Sequence, residues 1–472
     1  MTPLPDGFGL VLDPSVRSFR DGTVLVGGHP GRLITLTAEG AGQLDAVLAG
    51  GPATPAGRQL AGRLVGAGMA HPRPSPSGGR PAAGPTVTVV IPVRDRPALL
   101  ERCLGSLGTG VPVVVVDDGS TDPVAVAEVC ERHRARLITR STNGGPGAAR
   151  NQALSVVDTD LVAFVDSDCT TTDGWLDRLM WLFTDPGIGA VAPRVRPDRS
   201  GRPARPSALD RFSDGHCALD MGGEESEVGP GRVVRYVPTA ALVVRRAAMA
   251  HRFDPGLRVG EDVDLVWRLV ESGWRVRYVP SATVHHREPS SWGEALARRF
   301  RYGTSAGPLA RRHPGRLDPV ELRPAPTVAV VAALAGRPRT ALAVMLASSA
   351  ALARKAVPLG IPLPLTLRWS AQSAGWTAVG IGHASTMLAA PVLALAAMRS
   401  RRGACMAAGL AVAPAAVDWW RRRPDLDPGR WCLASIADDV AYGAGVWTGC
   451  LRSRSFGPLV PAVRLRGESE SG

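Results

Sequence analysis

The chain has 472 residues, which is too long for one compact hydrophobic core and predicts two or three domains. Hydrophobic residues make up 45% of it, which excludes a wholly disordered protein. The formal net charge of +13 comes almost entirely from scattered arginines, and no interleaved basic and aromatic motif accompanies it. We therefore expect no nucleic-acid partner, whereas anionic small molecules and lipid headgroups are compatible with the charge.

Cysteine usage and the N-terminus predict the compartment. The seven cysteines show neither CxxC pairs nor zinc-ligand spacing, so we expect reduced thiols. Charged and turn-forming residues stand at the N-terminus, where a signal peptide needs an apolar run. The expected location is the cytoplasm or the cytoplasmic face of the cell membrane.

Residues 1–70 are predicted to form a small winged-helix-like module. Strand-like runs at Thr23–Val26 and Arg32–Leu36 precede helical runs at Ala38–Leu48 and Pro55–Gly66. A stretch rich in Pro, Gly and Ser follows over residues 71–85 and is predicted to be a linker. This module contains no candidate catalytic residue, so it is either a binding module or a packing domain.

Residues 86–314 alternate strand-like and helical runs, which predicts an α/β fold with a doubly wound sheet. Residues 325–460 form a third segment, rich in Ala, Leu and Val. Within it, Ala374–Met398 carries no charged residue and is long enough to span a bilayer. Its weak hydrophobicity leaves two alternatives, a membrane span or a soluble or interfacial helical bundle. The predicted strands of the central segment are Val87–Val93, Val113–Val116, Leu137–Thr139 and Leu161–Val165.

Carboxylates follow three of the predicted strands directly. Asp95 follows the first strand, Asp117 and Asp118 follow the second, and Asp166 and Asp168 follow the fourth. Ligands of open α/β sheets bind beyond the carboxyl ends of the strands, so we expect these side chains at one ligand-binding edge. Several carboxylates at one edge repel one another unless a cation or hydrogen-bond donors accompany them.

The Asp-Ser-Asp sequence at residues 166–168 is a DxD pattern that predicts a metal site. The i, i+2 spacing brings two carboxylates near one divalent ion in an extended loop. A hard cation held by few protein oxygens can share its other positions with a diphosphate. We therefore predict that Asp168, supported by Asp166, binds Mg²⁺ or Mn²⁺.

Four motifs occur in an order that resembles the A-fold, family 2 inverting glycosyltransferases. They are Val90–Asp95, Val115–Asp122, Asn143–Asn151 and Phe164–Asp168. The resemblance covers about half of the chain and implies a nucleotide-diphospho-sugar transferase fold. It also implies that Arg150 lies near the nucleotide, although a surface salt bridge on a helix is the alternative. The residues that it places around the uracil and ribose are Pro92, Asp95 and Asp117 or Asp118.

Two further motifs of the family concern the acceptor and the metal. Gly260–Arg268 resembles the family's Glu-Asp motif ahead of a helix, which makes Asp262 the candidate general base and Glu261 a candidate orienting residue. The family often places a histidine after a later strand to complete the metal or diphosphate site. Here His285 and His286 follow one another, and alternation along a strand leaves open which of them faces the site.

The residues after the candidate base lack the Gln-x-x-Arg-Trp motif of processive members, which favours transfer of one or a few sugars. The front module loosely resembles PqqD-type peptide-recognition domains. The whole organisation resembles the mycofactocin glycosyltransferases, which implies UDP-glucose as the donor, β-linked oligoglucose as the product, and a peptide-derived redox cofactor or its precursor peptide as the acceptor. Two alternatives remain, namely a cell-envelope lipid or polysaccharide glycosyltransferase and a catalytically dead peptide-binding scaffold.

Overall fold

The structure is a computed structural model that describes residues 3–50, 54–74 and 84–463. The chain forms two compact units. The first contains the described parts of residues 1–201 together with 216–288, and the second contains residues 202–215 and the described part of 289–472. The N-terminal module and the central segment therefore belong to one unit, whereas residues 289–314 group with the C-terminal helices.

The N-terminal module consists of five strands and two helices among the described residues. Strands β2, β3 and β4 form an antiparallel sheet, and β1 pairs with β5. The hydroxyls of Thr37 and Thr54 accept hydrogen bonds from the first turns of α1 and α2, so both predicted helices are confirmed at their predicted bounds. In chain order the elements are β1 (Phe8–Leu12), β2 (Arg17–Phe19), β3 (Val24–Gly27), β4 (Arg32–Thr35), α1 (Ala38–Leu48), α2 (Pro55–Gly66) and β5 (Ala70–Pro74).

The predicted linker over residues 71–85 is wrong in its first part. Residues 71–74 belong to β5, whose pairing with β1 buries His71 and Pro72. The proline content concealed this strand, because proline is tolerated in a strand that has only one hydrogen-bonded neighbour. Residues 75–83 of the predicted linker lie outside the described residues.

The remaining elements up to Glu288 build the central α/β domain, apart from α7, which belongs to the second unit. Its helices α3, α4 and α5 all carry proline in the first turn, where the missing amide proton costs nothing. In chain order the elements are β6 (Val87–Val93), α3 (Pro97–Ser106), β7 (Val113–Asp117), α4 (Pro123–Arg132), β8 (Arg136–Thr139), α5 (Pro146–Leu154), β9 (Leu161–Val165), β10 (Cys169–Thr171), α6 (Asp177–Met180), β11 (Ile188–Pro197), α7 (Ala208–Gly215), β12 (Ser226–Val228), β13 (Ala241–Arg245), α8 (Glu261–Glu271) and β14 (Arg275–His286).

Nine of the described strands form one mixed sheet in the order β10-β14-β11-β13-β9-β6-β7-β8, with β12 also on β14. Strands β6, β7, β8 and β9 run parallel, whereas β13 is antiparallel to β9. The central strands β6 and β9 are largely buried on both faces, as expected for a sheet covered by helices on both sides. Their carboxyl ends meet at one edge, where the chain places Pro92, Asp117 and Asp166.

A buried polar network joins the N-terminal module to the central domain. The ring of His71 hydrogen-bonds the carboxylate of Asp13 at 2.9 Å and contacts the guanidinium of Arg277 at 3.1 Å. Glu225 accepts hydrogen bonds from both Arg277 and Arg73. Burial lowers the pKa of His71, and the adjacent charge of Arg277 lowers it further, so this ring is neutral at neutral pH.

The same junction is apolar around this network. The ring of Phe8 in β1 lies 5.6 Å from that of Trp181 in the central domain. Leu64 and Met69 of the module belong to the same hydrophobic core as Val89 and Ile91 of β6. The module is therefore an integral part of the first unit.

The second unit is mainly helical. Helices α9 and α15 cross closely because glycines line both of them: a Cβ atom on Gly303 would overlap the Tyr442 carbonyl oxygen, and one on Gly445 would overlap that of Phe300. After α7 its elements are α9 (Trp292–Thr304), α10 (Ala306–Arg312), β15 (Glu321–Leu322), α11 (Pro324–Leu334), α12 (Pro338–Ala356), α13 (Leu363–Arg399), α14 (Arg401–Arg422), α15 (Pro428–Ser453) and β16 (Ala462–Val463).

Two stretches of this unit, Pro338–Leu359 and Leu363–Arg399, are long and apolar enough to cross a bilayer. Only 11% of the apolar window in each is buried within the protein. The second stretch contains the uncharged segment Ala374–Met398 identified in the sequence, and its helix bends at Ala389 just before Pro391. Length and exposure are compatible with membrane contact.

The close crossing of α9 and α15 predicts a specific loss of stability. The substitution Gly445→Ala should destabilise the protein by about 1–3 kcal/mol, because the new methyl group must displace a backbone carbonyl of the facing helix. Gly409→Ala on α14 is the matched control, since a Cβ there meets no atom within 4 Å. Alanine is the better helix former, so the control should melt at the same or a higher temperature. Equal melting temperatures for the two variants would contradict the close crossing.

Candidate functional site

A cavity of about 310 Å³ opens at the carboxyl edge of the parallel strands. Both acidic and basic side chains line it, so it can receive an anionic ligand together with a cation. Four of the residues predicted from the sequence line this cavity, namely Pro92, Asp118, Asp166 and Asp168. The other lining residues are Val93, Arg94, Asn143, Gly145, Pro146, Ser167 and Arg258.

Asp166 and Asp168 lie side by side where β9 ends. The carboxylate of Asp166 accepts a hydrogen bond of 2.6 Å from Arg150, and that of Asp168 lies 3.1 Å from the guanidinium of Arg96. Burial raises the pKa of Asp166; the charge of Arg150 opposes this rise, and that of Asp168 adds to it. Each of the two carboxylates thus has an arginine partner, and both lie at the edge of the cavity.

The structure distinguishes the two adjacent histidines at the end of β14. The Nε2 atom of His286 lies 3.5 Å from the nearer carboxylate oxygen of Asp168, and the ring is buried. His285 extends from the other face of the strand, where its charged neighbours are Arg196, Asp198 and Arg199. Of the two predicted alternatives, only His286 faces Asp168.

The predicted nucleotide-contacting carboxylates have different surroundings. Asp118 lines the cavity, and its oxygens accept hydrogen bonds from the backbone amides of Gly144 and Gly145 at 2.9 and 2.7 Å. Asp117 is fully buried at the end of β7; one of its carboxylate oxygens accepts from the Ser120 amide, and the other has no hydrogen-bond partner among the described residues. Asp117 is not among the residues that line the cavity.

Asp95 does not line the cavity. Its carboxylate accepts hydrogen bonds from both the amide and the hydroxyl of Thr121 at 2.8 Å, and these bonds hold the pKa of Asp95 below its ordinary value. Asp95 and Arg96 both have positive φ angles, of 56° and 65°. This left-handed backbone is unfavourable for residues other than glycine, and the bonds to Thr121 help to hold it.

Arg150 lies beneath the cavity and connects two parts of the site. Its side chain is 2% exposed and donates to Asp166 at 2.6 Å and to Glu261 at 3.0 Å. The guanidinium also stacks over the ring of Phe253. The alternative of a surface salt bridge is therefore wrong, and Arg150 itself is not among the residues that line the cavity.

Glu261 and Asp262 begin helix α8. The helix starts after Gly260, whose φ of 83° is left-handed and favours glycine. Burial raises the pKa of Asp262 to about 7, and the neighbouring carboxylate of Glu261 adds to the rise. A carboxylate with this pKa can take up a proton near neutral pH, which is the property of a general base. Neither residue lines the cavity itself; the ion pairs of Arg150 connect Glu261 to its edge.

The donor set at the cavity edge fits a divalent cation that shares its ligands with a substrate. Two carboxylates, Asp166 and Asp168, are hard oxygen ligands, and the imidazole of His286 is close to the second of them. Among the described residues, no group of three or more His, Cys, Asp or Glu side chains is arranged to hold a metal ion alone. Oxygens of a bound diphosphate would have to complete the coordination, as Mg²⁺ commonly requires.

Several residues of the site were missed in the sequence. Arg94 and Arg258 bring positive charge to the cavity, and Asn143 lines it as well. Arg94 follows Pro92 by two residues and Arg258 precedes the Glu-Asp motif by three, so proximity to the motifs was the available signal. Glu288, which contacts His286 at 3.2 Å, follows the histidine pair by two residues and had no motif to indicate it.

The chain is similar in sequence to one protein family and to several known proteins. Residues 88–247 match Glycosyl transferase family 2. The chain is 38% identical to the pre-mycofactocin glycosyltransferase of Mycobacterium tuberculosis strain H37Rv. The match covers 98% of this chain and 99% of that protein. It is also 30% identical to the succinoglycan biosynthesis protein ExoU of Rhizobium meliloti, but over 42% of this chain and 61% of that protein.

Solved structures are more distant. The mannosyltransferase of Pyrobaculum calidifontis, in complex with GDP-mannose and Mn²⁺, is 19% identical with a TM-score of 0.43, and the match covers 78% of this chain and 90% of that one. Staphylococcus aureus TarS residues 1–349 are 20% identical with a TM-score of 0.34, covering 46% of this chain and 63% of that one.

Proposed function

Because the chain belongs to the pre-mycofactocin glycosyltransferase family, we propose that it transfers glucose from UDP-glucose to a peptide-derived redox cofactor or its precursor. The chain is a glycosyltransferase, and the proposal concerns its donor, its acceptor and its chemistry. The acceptor class rests on the 38% identity over nearly the whole chain. The observation that best supports the chemistry is the buried Arg150, whose ion pairs join the carboxylate Asp166 at the cavity edge to Glu261 beside the candidate base.

The cavity accounts for donor binding in this proposal. Pro92 and Asp118 line the end at which the nucleoside would bind, and the buried Asp117 lies behind them at the end of β7. Arg94 and Arg258 would offset part of the diphosphate charge. A volume of about 310 Å³ is near the lower limit of ordinary ligand pockets. Only part of the donor would therefore fit inside the cavity, and its sugar would lie towards the open side.

A divalent cation would be held by Asp168 and Asp166 in this proposal, with His286 as the third candidate ligand. When bound, it supplies positive charge that stabilises the departing uridine diphosphate. Arg150 would hold the carboxylate of Asp166 in place from beneath. These residues position the leaving group and need not move during the transfer.

Asp262 is the proposed general base. It would take the proton from the acceptor hydroxyl while that oxygen bonds to the anomeric carbon and the bond to the phosphate oxygen breaks, so that the electron pair leaves with UDP. Attack from the side opposite the leaving group inverts the configuration and gives a β-linked glucose. The missing processive motif supports the addition of one or a few residues.

The proposed base predicts the pH dependence. Asp262 acts as a base only when ionised, and its pKa of about 7 means that it is mostly protonated at pH 6. The value of kcat/KM should therefore fall about tenfold per pH unit below pH 7 and level off above pH 8. The charges facing this carboxylate are those of Glu261, Arg150 and Asp166. Initial rates between pH 5.5 and 9 would test this, and a flat profile would exclude Asp262 as the titrating base.

The function is tested by product analysis. Purified full-length protein is incubated with UDP-glucose, pre-mycofactocin and Mn²⁺, and the products are identified by mass spectrometry. We expect hexose addition that requires the metal and is lost in Asp168→Ala, whereas Asp158→Ala, at an exposed site outside the cavity, keeps it. A parallel reaction offers membrane lipid as the acceptor. Glucose on lipid alone would favour a cell-envelope transferase and overturn the proposed acceptor.

Membrane association belongs to the proposal as well. The second unit exposes Leu346, Leu367 and Trp376 on its two long apolar helices, and arginines at 399, 401 and 402 stand at the junction of α13 and α14. Apolar side chains flanked by arginine suit a bilayer with anionic headgroups on the cytoplasmic face. Flotation with vesicles that contain anionic lipid should carry the protein upward, and protein that stays at the bottom would argue against this contact.

A further inference from the structure

The ring of His286 has a second contact, on the side away from Asp168. Its Nδ1 atom lies 3.2 Å from the Oε1 atom of Glu288. The side chain of Glu288 is only 6% exposed, and the thiol of Cys217 lies 3.4 Å from the same carboxylate oxygen. A buried carboxylate therefore faces one ring nitrogen while Asp168 faces the other.

The backbone around His286 is fixed independently of its side chain. The His286 carbonyl accepts a hydrogen bond of 2.8 Å from the Asp198 amide, and the Arg287 amide donates to the Asp168 carbonyl at 3.0 Å. These bonds set the position of the Cα atom, whereas the rotamer and the tautomer of the imidazole depend on contacts of the side chain. The side-chain contact to Glu288 restrains the rotation of the ring and its tautomer.

The contact to Glu288 decides which nitrogen carries the proton. A carboxylate can only accept, so Nδ1 is the donor, and a neutral ring then directs the lone pair of Nε2 at Asp168. Nε2 is thus the ring nitrogen that faces the Asp168 carboxylate, at 3.5 Å.

We propose that Glu288 is a positioning residue, which orients His286 so that Nε2 faces the cation site formed with Asp168. This proposal rests on the metal dependence in the proposed function and adds to it a residue that does not touch the metal or the substrate. Carboxylates that accept from the distal nitrogen of a metal-bound histidine fix its tautomer and raise its basicity.

The test measures Mn²⁺ binding directly, by electron paramagnetic resonance of free Mn²⁺ in the presence of UDP and without sugar transfer. Glu288→Ala should weaken Mn²⁺ binding by about 10–100-fold. Glu288→Gln keeps an oxygen that can accept from Nδ1, so it should bind Mn²⁺ more tightly than Glu288→Ala. His285→Ala is the matched control on the opposite face of the strand and should bind as the wild type does.

A cycle of variants separates positioning from a general loss of structure. In a His286→Ala background, the further change Glu288→Ala should cost no additional Mn²⁺ affinity, because its partner is already absent. Wild-type affinity in Glu288→Ala, or an equal loss in both backgrounds, would overturn the proposal while leaving the proposed function in place. A wild type that binds no Mn²⁺ in the presence of UDP would overturn both. Thermal melting of each variant establishes that the compared proteins are folded.

Discussion

Asp262→Asn should lower kcat for glucosyl transfer by about 10²–10⁴-fold, the range for loss of a positioned general base. The amide keeps the size of the side chain but cannot accept the proton of the acceptor hydroxyl. The fold should not suffer, because the raised pKa of Asp262 means that its ionised form is unfavourable in the folded protein. This cost grows as the pH rises from the ordinary pKa of 3.8 to about 7 and is complete above it, so the variant should melt at the same or a higher temperature at pH 8.

The control for this result lies on the same helix. Glu271 ends α8 and is exposed, so Glu271→Gln removes a carboxylate without changing the site. Its kcat should equal that of the wild type. Donor binding should also survive in Asp262→Asn, since this residue does not line the cavity. A variant that keeps its kcat would reject Asp262 as the base, whatever the pH profile shows.

Arg150→Met should have the largest effect on stability. The substitution leaves Asp166 and Glu261 without the buried cation that pairs with both of them. Removal of one partner from a buried ion pair costs about 3–5 kcal/mol, because the remaining charge stays desolvated. Transfer activity should be lost as well, since both the cavity edge and the start of α8 depend on this guanidinium.

A surface arginine provides the comparison. Arg132 pairs with Glu101, but its side chain is 56% exposed and solvent screens the pair. Arg132→Met should therefore change neither the midpoint of denaturant unfolding nor the activity. Equal stability of the two variants would contradict the role of Arg150 as the central cation of the site. Arg150→Lys should fall between them, because one ammonium cannot match the fork of a guanidinium.

The sequence predicted the elements whose signals are local. The apolar run of β9 followed by Asp166 and Asp168 needed only the rule that parallel strands end at one edge. The two N-terminal helices had threonine caps and regular apolar spacing, so their bounds were predictable. In both cases the information lies within a few residues of the feature.

Features that depend on distant pairing were not predictable. Arg150 and Glu261 are 111 residues apart, and no local pattern relates them. The choice between His285 and His286 required the register of β14 against β10, in which Cys169 is opposite His286. Strand β5 was missed because its partner β1 is about 60 residues away and its own sequence is rich in proline.

The junction between the N-terminal module and the sheet has a consequence for encounter kinetics. A module on a flexible tether would raise the local concentration of whatever it holds only to the millimolar range, and would present it in every direction. Here the contacts of His71, Arg277 and Glu225 fix the module in one orientation on β14. Anything bound to residues 3–74 would keep one distance from the transferase cavity, so its delivery would depend on geometry rather than on diffusion.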